Sequence, residues 1–211
     1  MFTGIVQDLV TVQQIDDQGD LIKLTLDMGG MTDQLVPGAS VAVNGTCLTV
    51  TGVEQGNVTF DIIVETLRTT NLQALRQGSL VNVERSFKVG DEVGGHVVSG
   101  HVTSTAELVH RHAQGHEHVL TFGLAPQWMK YVFHKGFIAL DGASLTVSSV
   151  DKLQNQFQVS LIPETLARTT LGSAEHGALI NVEVDAQTVT TVDTVERLFA
   201  DPQWRAQALG E

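Results

Sequence analysis

The chain has 211 residues, 42% hydrophobic and 17% charged, and carries a formal charge of −12. That acidity argues against a nucleic-acid backbone as partner, which calls for clustered cations, and the ordinary apolar content argues against a disordered chain. The opening M-F-T-G-I-V-Q-D lacks the pattern of a secretory signal, no apolar run approaches the roughly 20 residues that cross a bilayer, and the lone Cys47 permits no intrachain disulfide, so a cytoplasmic protein is expected.

Residues 4–27 alternate apolar and polar around D-D-Q-G-D, which predicts two strands and a turn. Glycines and Pro37 bracket a short helical turn at M-T-D-Q-L, residues 31–35. Two β-rich runs then flank Asn44-Gly45, a hairpin signal. Another strand is expected at 57–63, a short helix at E-T-L-R-T-T-N-L (65–72), and a last strand in G-S-L-V-N-V-E-R.

The second half replays this order. V-N-G-T-C-L-T-V (43–50) returns as L-D-G-A-S-L-T-V (140–147), with Gly45 and Gly142 97 residues apart. Gly100 answers Gly4, residues 157–162 answer 58–63, and P-E-T-L-A-R-T-T-L (163–171) answers 65–72 with one residue inserted after the leucine. A short helix is expected at 125–132, started by Pro126. A repeat of this length with many short strands predicts an all-β protein of two duplicated halves, each an antiparallel barrel or sandwich. The expected domains are 1–97, 98–185 and a C-terminal helix and tail, 186–211. In that tail Val189, Val192, Val195, Leu198 and Phe199 fall at helical spacing. Such a stripe must be covered by its own barrel or by the same helix of neighbouring subunits.

Candidate chemistry concentrates where the twin stretches differ: Asn44 against Asp141, and Cys47 against Ser144. A lone strand cysteine is commonly a small buried hydrophobe, yet Cys47 follows a turn and its counterpart is another small nucleophile. Thr49 and Thr146, two residues on, share the strand face of Cys47 and Ser144. His96 and His101 flank V-V-S-G and suit acid–base work, with a structural role as the alternative. His110, His112, His116 and His118 look metal-like, but alternation around a hairpin tip explains them as a solvated face, and no metal is expected. The Gly-rich run V-G-G-H-V-V-S-G lacks the frame of a dinucleotide or phosphate loop.

Five motifs carry a resemblance: M-F-T-G-I-V at the N-terminus, N-G-x-C-L-T-V, G-G-H-x-x-S-G-H, K-G-F-I-x-x-D-G-x-S-L-T-V and I-P-E-T-L-x-R-T-T-L. In this order, over residues 1 to about 199, the chain resembles riboflavin synthase of the bacterial and fungal type. The resemblance implies two six-stranded Greek-key barrels and a C-terminal helix that assembles a homotrimer. It also implies dismutation of two molecules of 6,7-dimethyl-8-ribityllumazine, without cofactor, to riboflavin and 5-amino-6-ribitylaminopyrimidinedione. The site would lie between the N-terminal barrel of one subunit and the C-terminal barrel of the next. Association with lumazine synthase is compatible with it.

Carried over by position, the resemblance places Phe2, Thr3, Gly4, Ser40, Cys47, Thr49, Glu65 and Thr66 in an N-barrel pocket. Cys47 or Ser40 would assist addition at C7 of one lumazine, and His101 with His96 would handle the proton of the acidic 7α-methyl. Lys135, Asp141, Ser144, Thr146, Pro163, Glu164 and Thr165 would hold the second molecule. Glu65 and Glu164 suit ribityl hydroxyls, or simply the positive end of a short helix. Thr46 stands where some relatives have a second cysteine. A non-catalytic antenna protein of luminous bacteria, holding lumazine or flavin on the same fold, is the competing reading; Cys47, His96, His101, Asp141 and Ser144 favour the enzyme. A structural module of twin barrels is the third.

Overall fold

The computed structural model describes residues 1–115 and 117–209. In the first half β1 (Asp8–Asp17), β2 (Leu21–Asp27), β3 (Ser40–Val43), β4 (Thr46–Glu54), β5 (Asn57–Ile63) and β6 (Leu80–Arg85) close in the order β1-β2-β5-β4-β3-β6. In the second, β7 (Ser104–Gln114), β8 (Glu117–Gly123), β9 (Phe137–Leu140), β10 (Ala143–Asp151), β11 (Gln156–Leu161) and β12 (Leu179–Val184) close by the same circuit. All these ladders are antiparallel. The protein is all-β, two duplicated six-stranded barrels followed by helix.

Period-two patterning builds each wall. In β5, Val58, Phe60 and Ile62 point inward and are buried, while Asn57, Thr59, Asp61 and Ile63 lie on the other side. One apolar core gathers Leu24, Leu26, Phe60 and Val83; the other gathers Leu108, Leu120 and the stacked pair Phe122–Phe157, 5.5 Å apart. The bulges are duplicated too. Register slips between Val12 and Gln14 and between Val50 and Gly52, and again between Leu108 and His110 and between Val147 and Ser149. A bulge sharpens local bend and twist, which closing so small a barrel requires.

The halves diverge at one end. In the second barrel the Arg111 guanidinium donates to the carbonyls of Leu171, Gly172 and Ala174 at 3.3, 2.7 and 2.9 Å. The first barrel has Ile15 in the matching place beyond the bulge, packed on the core edge.

Helix α1 (Val64–Thr69) follows β5, α2 (Pro126–Met129) follows β8, and α3 (Pro163–Arg168) follows β11. α2 does begin at Pro126 but ends sooner than expected, and a 3₁₀ turn at Gly29–Thr32 falls before the helical turn anticipated at 31–35. The insertion expected in the second helix is absent. Both α1 and α3 have six residues, and each is closed by the same bond: Thr70 Oγ1 to the Thr66 carbonyl (2.7 Å) and Thr169 Oγ1 to that of Thr165 (2.6 Å). The arginine has moved one position, from Arg68 to Arg168, in an ungapped match.

The C-terminal segment is two helices, α4 (Ala186–Ala200) and α5 (Pro202–Leu209). Asp185 caps α4 by accepting from Thr188 N–H at 2.8 Å. Pro202, which lacks an N–H and disfavours a helical residue before it, breaks the helix at Asp201. Val189 and Val192 pack on the second barrel, and Lys130 and Tyr131 hold Asp193 from below at 3.1 and 2.6 Å. Val195 and Phe199 remain exposed. The apolar stripe is therefore shared between its own barrel and open surface. No helix among the described residues is long and apolar enough to cross a membrane.

Candidate active site on twin strand faces

The turns of the two repeated stretches meet. Asn44-Gly45 and Asp141-Gly142 each have positive φ at both residues, the hairpin geometry that glycine in second place permits. A Cβ on Gly45 would lie 2.5 Å from Gly142 N, and one on Gly142 would lie 2.9 Å from Gly45 Cα. Only glycine allows this approach on either side.

Around that point runs a polar seam related by the duplication. Asn44 Oδ1 accepts from Asn82 N–H and Asp141 Oδ1 from Asn181 N–H, both at 2.8 Å. Across the halves, Asn82 Nδ2 donates to the Asp141 carbonyl (2.9 Å) and Asn181 Nδ2 to that of Asn44 (2.8 Å). Asp141 also accepts from Asn71 Nδ2 (2.9 Å) and Thr170 Oγ1 (3.0 Å). Burial pushes the Asp141 carboxyl up to about 7, with those hydrogen bonds pulling the other way. The Asn44/Asp141 difference thus lies inside the seam between barrels, whereas the Cys47/Ser144 difference lies outside it.

Ser40 pairs with Thr49 and Ala42 with Cys47, while Phe137 pairs with Thr146 and Ala139 with Ser144. Cys47 with Thr49 and Ser144 with Thr146 therefore lie on outward faces of equivalent hairpins, with both threonines exposed. Two lead-in segments close over these faces by crossing between halves. Ser144 N–H donates to the Gly4 carbonyl, and Cys47 N–H donates to the Gly100 carbonyl, each at 2.8 Å. Phe2 and Val98 pair with each other where the segments pass, and with Ala42 and Ala139 they form a small apolar cluster against Cys47.

This crossing divides residues that the resemblance grouped. Phe2 stays in the cluster beside Cys47, but Gly4 lies on Ser144. His96 and His101 go to different barrels: His101 follows Gly100 at the Cys47 face, while His96 Nδ1 sits 2.6 Å from Ser144 Oγ. Burial holds His96 below the usual imidazole range, opposed in part by the Asp185 and Glu183 carboxylates. A neutral ring beside a hydroxyl can take or return a proton.

Sequence reasoning missed Phe137. Its ring stacks on His96 at 5.0 Å and 14° between planes, and the register puts it where the first barrel has Ser40. The two faces thus differ at a second pair, Ser40 against Phe137, as well as at Cys47 against Ser144. Only the three-dimensional approach of residue 96 to strand β9 exposes this.

A cavity of about 170 Å³ opens at the second face, lined by Gly4, Ile5, Val6, Ala143, Ser144, Glu164, Thr165, Arg168 and Thr169. Glu164 pairs with Arg168 one helical turn on, at the exposed rim. Lys135 is exposed and holds a left-handed backbone, φ 63°, where the first repeat has Gly38. Glu65 is exposed, Thr66 half-buried, and Pro163 exposed, at the starts of α1 and α3. Of the histidine hairpin, His110 and His112 are exposed as expected, His116 lies outside the described residues, and His118 departs from a solvated face. It is half-buried, with Nδ1 lacking a partner among the described residues. No cluster of metal-ligating side chains occurs among the described residues.

Twin six-stranded barrels with paired polar faces define a class of duplicated-barrel proteins. The lumazine binding domain family matches the chain twice, over residues 3–86 and 99–185. Crystal structures of LumP complexed with riboflavin and with flavin mononucleotide superpose with TM-scores of 0.80 and 0.79, at 23% and 22% identity, covering 88% of this chain and 100% and 99% of theirs. Riboflavin synthase of Escherichia coli K12 is 48% identical over 95% of this chain and 94% of its own, and that of Chlamydia pneumoniae is 44% identical over 95% and 98%. Riboflavin synthase of Mycobacterium bovis is 44% identical over 94% of this chain and 98% of its own. The chain belongs to the riboflavin synthase family.

Proposed function

We propose that the protein dismutates two molecules of 6,7-dimethyl-8-ribityllumazine, one giving up the four-carbon unit that the other gains, to yield riboflavin and 5-amino-6-ribitylaminopyrimidinedione. The single observation that carries this reading is the pair of related but unequal faces, Ser40–Cys47–Thr49 and Phe137–Ser144–Thr146. A reaction between two identical molecules with different fates calls for two similar sites that treat them differently. No outside oxidant is needed, because one lumazine loses what its partner receives.

His96 or His101 would take the proton of the 7α-methyl of one lumazine, and Cys47 or Ser40 would assist addition at C7 of the other. Glu65 and Glu164, exposed at the starts of α1 and α3, suit ribityl hydroxyls. Holding both rings together supplies proximity, which alone can lower a barrier by several kcal/mol.

The cavity of about 170 Å³ is too small for a ribityllumazine by itself, since small-molecule pockets run from roughly 300 Å³ upward. Completion by a second surface fits a homotrimer with sites between the first barrel of one subunit and the second barrel of the next. The exposed Val195 and Phe199 of α4 suit the trimer contact. We assign residues 1–97 and 98–185 to the two lumazine-binding units, 186–211 to assembly, and the cytoplasm as its place. The test is incubation of purified protein with the lumazine alone. Growth of the riboflavin absorbance is expected; lumazine retained without turnover would mean a binding protein instead.

A further inference from the structure

Two buried glutamates are bonded to the lead-in segments in the same way. Glu84, on β6, is 4% exposed; its Oε1 accepts from Thr3 N–H (2.6 Å) and Thr3 Oγ1 (2.7 Å), and its Oε2 from Gly4 N–H (3.0 Å). Glu183, on β12, is 8% exposed; its Oε1 accepts from Ser99 N–H and Ser99 Oγ, both at 2.7 Å, and its Oε2 from Gly100 N–H (2.9 Å). Each carboxylate thus uses both oxygens on two successive backbone N–H groups and one hydroxyl. Bonds of this kind to an ionised acceptor are the strong ones.

The other side of each segment faces the opposite barrel. Gly4, held by Glu84 of the first barrel, gives its carbonyl to Ser144 of the second. Gly100, held by Glu183 of the second, gives its carbonyl to Cys47 of the first. A side chain at either glycine would collide with the twin strand: a Cβ at Gly4 would lie 2.5 Å from Ser144 Cβ, and one at Gly100 would lie 2.5 Å from Cys47 Cβ. The segments have no slack, so their position passes directly to the strand they touch.

We infer that Glu84 and Glu183 are crossed positioning residues: the glutamate of each barrel sets the geometry of the other barrel's site, through residues 3–5 and 99–101. Glu84 fixes the Gly4–Ile5 wall over Ser144. Glu183 fixes the segment that carries His101 beside Cys47. Each carboxylate is buried and spends three hydrogen bonds on the segment it holds, which suits a positioning role. As positioning for catalysis the inference rests on the lumazine reading; as geometry it stands apart from it.

The test uses the full chain and its single thiol as a local probe. Glu183→Gln keeps the side-chain size but replaces one accepting oxygen with an amide that cannot accept N–H. Iodoacetamide alkylation of Cys47 is expected to change in rate by about threefold or more in Glu183→Gln, as losing a bond to a charged acceptor implies, and by clearly less in Glu84→Gln, which reaches Cys47 only through Phe2. Moving the thiol to the second barrel with Cys47→Ser and Ser144→Cys should reverse the pattern, so that Glu84→Gln alters the rate more than Glu183→Gln, whose carboxylate also acts on His96 beside that position. Equal effects of both variants on both thiols, or effects confined to each glutamate's own barrel, would overturn the inference. With lumazine as substrate, both variants should lower kcat by more than they raise KM, and the Asp variants should recover less than half of it, their shorter arm missing one N–H. If the wild type turns over no lumazine while alkylation still shows the crossed pattern, the functional reading fails and the crossed positioning survives.

Discussion

Asp141 is the residue where chemistry and architecture are most easily confused. It differs between the repeats as a catalytic group would, yet its oxygens are occupied by Asn181, Asn71 and Thr170 inside the seam. Its carboxyl titrates at about 7 in the fold against 3.8 in the open chain. The folded state therefore binds more protons between those values, and stability falls as pH rises through that window, by up to about 4 kcal/mol. Asp141→Asn should abolish that dependence. Its twin Asn44 already serves at the equivalent place, and the Thr170 hydroxyl can turn to accept from the new amide. Thermal melts should show the variant gaining on wild type between pH 5 and pH 8; parallel curves would show that the carboxyl is not held in this way.

Phe137 makes a second prediction at the same scale. Phe137→Ala removes the ring stacked on His96 and opens the imidazole to water, so the His96 pKa should rise toward its ordinary value, read by NMR titration of the ring protons. Because Phe137 is 51% exposed, stability should fall by no more than about 1 kcal/mol. A His96 titration identical to that of wild type would mean that the stack does not govern it.

At the scale of elements, the twin hairpins join the halves. Gly45→Ala would force a left-handed alanine against Gly142 N, for an expected loss of about 3 kcal/mol or more. Gly19→Ala has a similar φ of +90° but open space around it, and should lose only about 1 kcal/mol. Denaturant midpoints of the two variants separate strain alone from strain with collision; equal losses would remove the close approach from the account.

Much of this level was legible in the chain itself. Strand alternation, the Asn-Gly turn signal and the ordered repeat carried the strands of both halves, and the resemblance carried their closure into barrels. The missed features are long-range. The seam joins Asp141 to Asn71 and Asn181, residues far apart in sequence whose side chains have no period to betray them. The crossing of residues 2–5 with 98–101 depends on two segments without regular strand structure. His96 and His101, five positions apart in sequence, looked like one pair and lie at two different faces. The inserted residue inferred in α3 was a displaced arginine, because matching by residue type favoured Arg68 with Arg168 where the backbone aligns Thr70 with Thr169.

At the scale of the molecule, the duplication gives two unequal strand faces, and the proposed trimer would join them through α4. Part of its stripe, Val189 and Val192, is spent on the second barrel, while Val195 and Phe199 are left outside. Ending the chain after Asp185 should leave two folded barrels that sediment as a monomer and turn over lumazine at least about tenfold more slowly, since a misplaced or missing site wall removes proximity. A truncated chain still sedimenting as a trimer would take that role from the helix.

The central claim is that two copies of one molecule meet here and leave as different products. It is tested most directly by the stoichiometry of the reaction run with purified protein and 6,7-dimethyl-8-ribityllumazine alone, quantified by chromatography. The account predicts one riboflavin and one 5-amino-6-ribitylaminopyrimidinedione for every two lumazines consumed, with no added cofactor. Lumazine bound but unconsumed, or riboflavin formed in any other ratio, would contradict it.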